Sequence, residues 1–178
     1  MTTGLSAFKL SGMPIRSGGV ADVDEIAALH AASWRSAYAG IMPDEYLDGP
    51  LEADRKALWD NRLRETVEPG LFVAEDDAHL TGFIYLRPID DRVLLDNLHA
   101  RPGRRGRGIG TRLIDAGLAW AATTYPGRPV YLEVLRDNTS AIAFYERRGW
   151  RRTASGDARF EAGFVLPEYE YTWMGPPA

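Results

Sequence analysis

The run Arg104-Arg105-Gly106-Arg107-Gly108-Ile109-Gly110 holds the residue types that backbone recognition of a phosphate needs. Glycines bend the chain tightly and let a ligand approach main-chain N–H groups without a β-carbon in the way. An apolar helical period resumes at Ile109, so the run should open a helix. A helix N-terminus presents unpaired N–H donors and the positive end of its dipole, which suits a phosphate or pyrophosphate. Two common nucleotide motifs are excluded. No Lys follows the glycines as a P-loop requires, and the third glycine comes one residue early for Gly-x-Gly-x-x-Gly. What remains is Arg105-x-x-Gly108-x-Gly110.

The elements around that run alternate in period. Met13 to Arg16 reads as a first strand after an unpatterned leader, residues 1–12. Asp22 and Glu25 form a capping-box-like start for a helix with Ile26, Leu29, His30, Ser33, Trp34, Ala37 and Tyr38 on one face, stopped by Gly40. A short segment from Met42 to Pro50 leads to a second helix carrying Leu51, Leu58, Trp59 and Leu63. Leu71–Ala74 and Leu80–Leu86 then suggest a hairpin, and Val93–Ala100 a third strand. After the helix from Ile109 come a strand at Val130–Leu135, a helix at Ser140–Arg148 and two strands at Trp150–Thr153 and Phe164–Trp173. The economical sum is one α/β domain over residues 13–178, with a mixed, mostly antiparallel sheet of about six or seven strands and about four helices.

Composition narrows the chemistry further. A chain of 178 residues, 45% apolar and 26% charged, suits one soluble domain. Without cysteine there is no disulfide scaffold, thiolate metal site or cysteine nucleophile. No apolar run approaches the ~18 residues of a membrane span, and no basic-then-apolar leader is present, so the expected compartment is the cytoplasm. Only Lys9 and Lys56 among the 21 basic residues are lysine, which a GC-rich coding sequence explains. A net charge of −4 argues against a nucleic-acid binder with a broad basic face, although five arginines crowd between Arg101 and Arg112.

Two segments together resemble the GNAT superfamily of N-acetyltransferases. One is Arg105-x-x-Gly108-x-Gly110 after Leu98-His99-Ala100-Arg101-Pro102. The other is Leu132-Glu133-Val134-x-x-x-Asn138-x-x-Ala141-x-x-Phe144-Tyr145-x-x-x-Gly149-Trp150. The clear likeness covers residues 93–152. It implies a GNAT-like fold and acetyl-CoA as cosubstrate, with no metal. Leu98, His99 and Ala100 would meet the pantetheine arm like an added strand. Arg105, Gly106, Arg107, Gly108, Ile109, Gly110 and Thr111 would hold the pyrophosphate. Asn138 and Ala141 would lie near pantetheine, although Asn138 also reads as a plain N-cap.

The same resemblance implies that Tyr145 donates a proton to the departing thiolate. A phenol with an ordinary pKa of ~10 stays protonated at neutral pH. For the group that takes the amine proton the choice stays open among Glu133, Asp96, His99 and water. Strand alternation puts Asp96 on the side of Leu94 and Leu98, one polar group in an apolar row, and His99 can titrate near neutrality. Trp34 and Tyr38, in a Ser-Trp-Arg-x-Ala-Tyr-x-Gly pattern like that of some family members, and Trp59 are assigned to the acceptor side, where aromatic faces suit an amine. A helical stripe of this kind equally describes core. The expected acceptor is a small-molecule amine or a peptide N-terminus, with no nucleic acid or membrane partner and a homodimer left open. The alternative function is a catalytically silent acyl-CoA-binding sensor module.

Overall fold

A computed structural model describes residues 14–66, 69–76, 79–104 and 108–175. The expected leader, residues 1–12, therefore lies outside the described residues, as do Arg105, Gly106 and Arg107 of the glycine-rich run.

Among the described residues the first elements are β1 (Ile15–Ser17) and a 3-10 turn at Val20–Asp22, then α1 (Val23–Ala37), a short α2 (Asp44–Leu47) and α3 (Leu51–Glu65). The acidic signal at the first helix works differently from the expected capping box. Asp22 reaches back to accept the Gly19 N–H at 2.8 Å, while Glu25 accepts the Leu80 N–H at 3.1 Å and ties the helix to the sheet. The remaining elements are β2 (Gly70–Asp76), β3 (His79–Ile89), β4 (Arg92–Ala100), α4 (Ile109–Thr124), β5 (Val130–Leu135), α5 (Thr139–Glu146), β6 (Trp150–Arg159) and β7 (Val165–Trp173). β6 runs well past the expected Thr153, because Ala154–Arg159 continue to pair with β7.

Seven strands form one sheet in the order β1-β2-β3-β4-β5-β7-β6. Every neighbouring pair is antiparallel except β4–β5, which α4 connects as a crossover. A parallel connection of that kind needs a covering helix. The sheet consequently has a core on each face. Ile84, Leu86, Val93 and Leu95 of the sheet pack with Leu113 and Ile114 of α4, whereas Phe83 and Tyr85 pack with Ile26 and Leu29 of α1 and Trp59 and Leu63 of α3. No helix among the described residues is long and apolar enough to cross a membrane.

Candidate active site

β4 and β5 pair only at their beginnings, Val93 with Val130 and Leu94 with Tyr131. Beyond those pairs the two strands part. A cleft of about 660 Å³ opens there, with Leu98, His99 and Ala100 along one side and Glu133 and Val134 along the other. That volume is ordinary for a small-molecule site.

The N-terminus of α4 closes one end. Gly108 is its N-cap, with φ +76°, a left-handed conformation in which a side chain is strained. The first intrahelical bond joins Arg112 N–H to Gly108 O at 3.1 Å, so the N–H groups of Ile109, Gly110 and Thr111 lie in the turn that has no intrahelical acceptors. All three residues line the cleft, and no acidic residue occupies the first turn. An anionic ligand fits this end: donors face it, the dipole favours it and a β-carbon on Gly108 would meet nothing within 4 Å.

The short helix α5, packed against the start of α4, supplies another part of the wall. Asn138 caps it, accepting the Ala141 N–H at 3.3 Å, and both residues line the cleft. The N-cap reading and the ligand-facing reading of Asn138 are therefore compatible. Tyr145, on the last turn, is buried yet reaches the same cleft. Burial pushes its phenol well above the ordinary value, and Tyr38 beside it adds to the effect. Tyr38, the C-cap of α1, also lines the cleft; burial raises its phenol while the Asn138 side chain opposes that shift.

Glu133, on β5, lines the same cleft. Its carboxyl is raised above the ordinary range first by lost hydration, then by Glu170 and Asp96, against the pull of Arg92 and Arg87. Glu170, its cross-strand neighbour, is already engaged by Arg92 at 3.0 Å and by the Thr153 hydroxyl at 2.8 Å. Among the described residues no ion pair engages Glu133.

Other expected residues sit elsewhere. Asp96 is absent from the cleft lining. Its Oδ2 lies 2.8 Å from Arg62 Nη2 and 2.9 Å from Arg87 Nε, so the carboxylate is engaged by two guanidinium groups away from the cleft. The alternation that grouped it with Leu94 and Leu98 is broken by a bulge: Leu86 pairs with Leu95, then Tyr85 with Asn97. Trp59 is fully buried in the α1–α3 core, its Nε1–H donating to His30 Nδ1 at 3.1 Å. Trp34 packs on Tyr46 and Phe160 instead of lining the cleft.

Several cleft residues gave no signal of their own. Ser33 Oγ lies 3.0 Å from His99 Nδ1, joining α1 to β4 across the site. Arg148 donates to Thr111 Oγ1 at 2.9 Å and pairs with Asp115 at 2.8 Å, bracing α5 against α4. In the sequence Ser33 belongs to a helical stripe and opens the Ser-Trp-Arg-x-Ala-Tyr-x-Gly pattern without a role of its own, and the Arg148 contact spans 37 residues of sequence.

Residues 28–150 match the acetyltransferase (GNAT) family. A probable N-acetyltransferase of Mycobacterium tuberculosis is 26% identical over 79% of this chain and 81% of its own. The spermidine N(1)-acetyltransferase of Thermoplasma acidophilum is 27% identical over 77% of this chain and 87% of its own. Among solved structures, the PaiA N-acetyltransferase of Thermoplasma acidophilum in complex with coenzyme A superposes with a TM-score of 0.69. It is 23% identical, covering 88% of this chain and 98% of that one, and the likeness speaks for the fold.

Proposed function

The chain belongs to the acetyltransferase (GNAT) family and is an acetyl-CoA-dependent N-acetyltransferase; from that premise we propose that it acetylates a primary amine by direct attack, with Tyr145 as general acid and Glu133 receiving the amine proton. The single observation that supports this reading most is that Tyr145, Glu133 and the unspent N–H groups of α4 line one cleft.

Acetyl-CoA supplies the thioester, in which a carbon–sulfur bond is exchanged for a carbon–nitrogen bond. The donors at Ile109–Thr111 hold the anionic end of that cosubstrate, and the β4 edge at Leu98–Ala100 lies along its arm. Glu133 takes the proton that the amine must lose, directly or through one water, and its carboxyl, raised above the ordinary range, is the better proton acceptor for it. Tyr145 gives a proton to the leaving sulfur. Burial keeps that phenol protonated until sulfur begins to carry charge. We read Asp96 as structural, since two arginines engage its carboxylate and it does not line the cleft.

For the acceptor, the Glu133 carboxylate and the Tyr38 ring, which line the same cleft, favour a cation. The relative named as a spermidine N(1)-acetyltransferase makes spermidine the first amine to try. Incubation of the purified protein with acetyl-CoA and spermidine tests the reading: a spermidine carrying one acetyl group on nitrogen is expected in the mass spectrum. If neither spermidine nor any other primary amine is acetylated, the reading fails.

A further inference from the structure

Asp96 is the one residue of the β4 stretch paired with β3 that has no opposite number there. That extra residue exchanges the faces of the strand. Before it, Val93 and Leu95 pack on the α4 side; after it, Leu98 and Ala100 do. His99 turns the other way, its ring centroid 5.2 Å from that of Phe83 in the α1–α3 core. An unbroken strand would keep one parity throughout and send His99, not Leu98, toward α4. The bulge also exchanges which residues aim N–H and C=O groups at β3 and which aim them at the open side. It falls just where β4 and β5 part, two residues after the Leu94–Tyr131 pair.

One guanidinium spans this irregularity. Arg62, on α3, donates from Nη1 to Asn97 Oδ1 at 2.8 Å and sets Nη2 2.8 Å from Asp96 Oδ2. Arg87, on β3, holds the same carboxylate oxygen at 2.9 Å. The rest of the Arg62 head lies against the rings of Trp59 and Tyr85, each centroid 5.2 Å from Cζ. Its planar fork matches two acceptors on adjacent residues in a way that a lysine ammonium cannot.

We propose that Arg62 is a positioning residue: by holding Asp96 and Asn97 together it fixes the β4 bulge, and so presents the Leu98–Ala100 edge to the acyl-CoA arm. The proposal rests on the acyl-CoA reading of the cleft. It gives α3, a helix that contributes nothing to the cleft lining, a defined effect on cosubstrate binding.

Asp96→Asn removes the charge that both arginines hold and keeps the side-chain size. Its CoA dissociation constant should rise by ~10-fold, because a small misplacement of binding groups is costly. Amide hydrogen exchange at Leu98, His99 and Ala100 should quicken, while kcat at saturating acetyl-CoA stays within about threefold of wild type. Arg62→Lys, able to meet Asp96 or Asn97 but not both, should fall between. Ile26→Val or Leu29→Ala, truncations in the α1 core chosen for a matching loss of melting temperature, should leave CoA affinity unmoved. An Asp96→Asn protein with wild-type CoA affinity overturns the proposal. So does an equal loss of affinity in the matched core variant, which would assign the effect to general loosening. If the wild-type protein does not bind CoA, the acyl-CoA reading fails instead. The exchange rates still report separately whether Arg62 and Asp96 hold the bulge.

Discussion

A β-carbon on Gly110 would lie 3.1 Å from Cζ of Phe144. This glycine is therefore the point where α4 and α5 touch. Gly108, two residues earlier, differs in kind: its φ is +76° and a β-carbon there would meet nothing within 4 Å. One motif thus holds two glycines for two physical reasons, backbone conformation at the first and close helix packing at the second.

Gly108→Val should weaken CoA binding by ~10-fold or more. A β-branched residue in the left-handed region costs about 1–2 kcal/mol, and the branch projects where the anion approaches. Gly108→Asn should be milder, since Asn tolerates that conformation. Titration calorimetry with CoA on folded protein measures both, and wild-type affinity in the valine variant contradicts the assignment of this turn.

Gly110→Ala should act on stability instead. Phe144 must give way by a few tenths of an ångström, and a core contact this tight costs about 1–3 kcal/mol when overfilled. The melting temperature should fall while CoA affinity stays within about threefold. A large loss of affinity with unchanged melting would place the ligand, not Phe144, against this glycine.

Glu133 must be ionised to take a proton, and its carboxyl is held above the ordinary range by lost hydration and neighbouring acids. Activity should accordingly rise with pH through that raised value and then level. Glu133→Gln should abolish the rise and lower kcat by ~10²-fold, the scale of losing a general base. CoA affinity should be nearly intact. An unchanged pH–rate profile transfers the role to His99 or water.

Glu168 bears on stability. Burial, with Glu133 and Asp157 adding, pushes its carboxyl up to about 7, against ~4.3 in an unfolded chain. Between those values the folded protein holds a proton that the unfolded chain releases. Its stabilising contribution is thus complete below about pH 4.3 and lost as pH rises through about 7. Glu168→Gln, always neutral, should outlast wild type at pH 8 by roughly 1 kcal/mol once solvent screening is discounted. The gain should vanish near pH 4. Thermal melts at the two pH values decide it.

The parts of the site that were legible in sequence are those where backbone geometry restricts residue choice. A left-handed cap favours glycine at Gly108, Asn138 is a good N-cap, and Tyr145 follows it at a fixed distance along one short helix. Most element positions along the chain followed from apolar period and turn residues, whereas the order of strands in the sheet is visible only in the fold. Asp96 was misplaced because a bulge adds a residue without any sequence mark, and every side chain beyond it changes face. Trp34, Tyr38 and Trp59 carry the same helical period whether they meet ligand or core; only the packed structure separates Tyr38, in the cleft, from the two tryptophans. Ser33 and His99 meet across 66 residues, a distance over which local pattern says nothing.

The central claim is that an acetyl group passes from CoA to an amine while Tyr145 protonates the departing sulfur. Release of the CoA thiol tests it most directly, and the absence of cysteine from the chain leaves no protein thiol to interfere. Wild type should release thiol only when an amine such as spermidine is present. Tyr145→Phe, which keeps the ring and loses one hydroxyl, should bind CoA as tightly and melt at nearly the same temperature, with kcat lower by ~10²–10⁴. No amine-dependent release by the wild-type protein, or a Tyr145→Phe protein that turns over at the wild-type rate, would contradict the account.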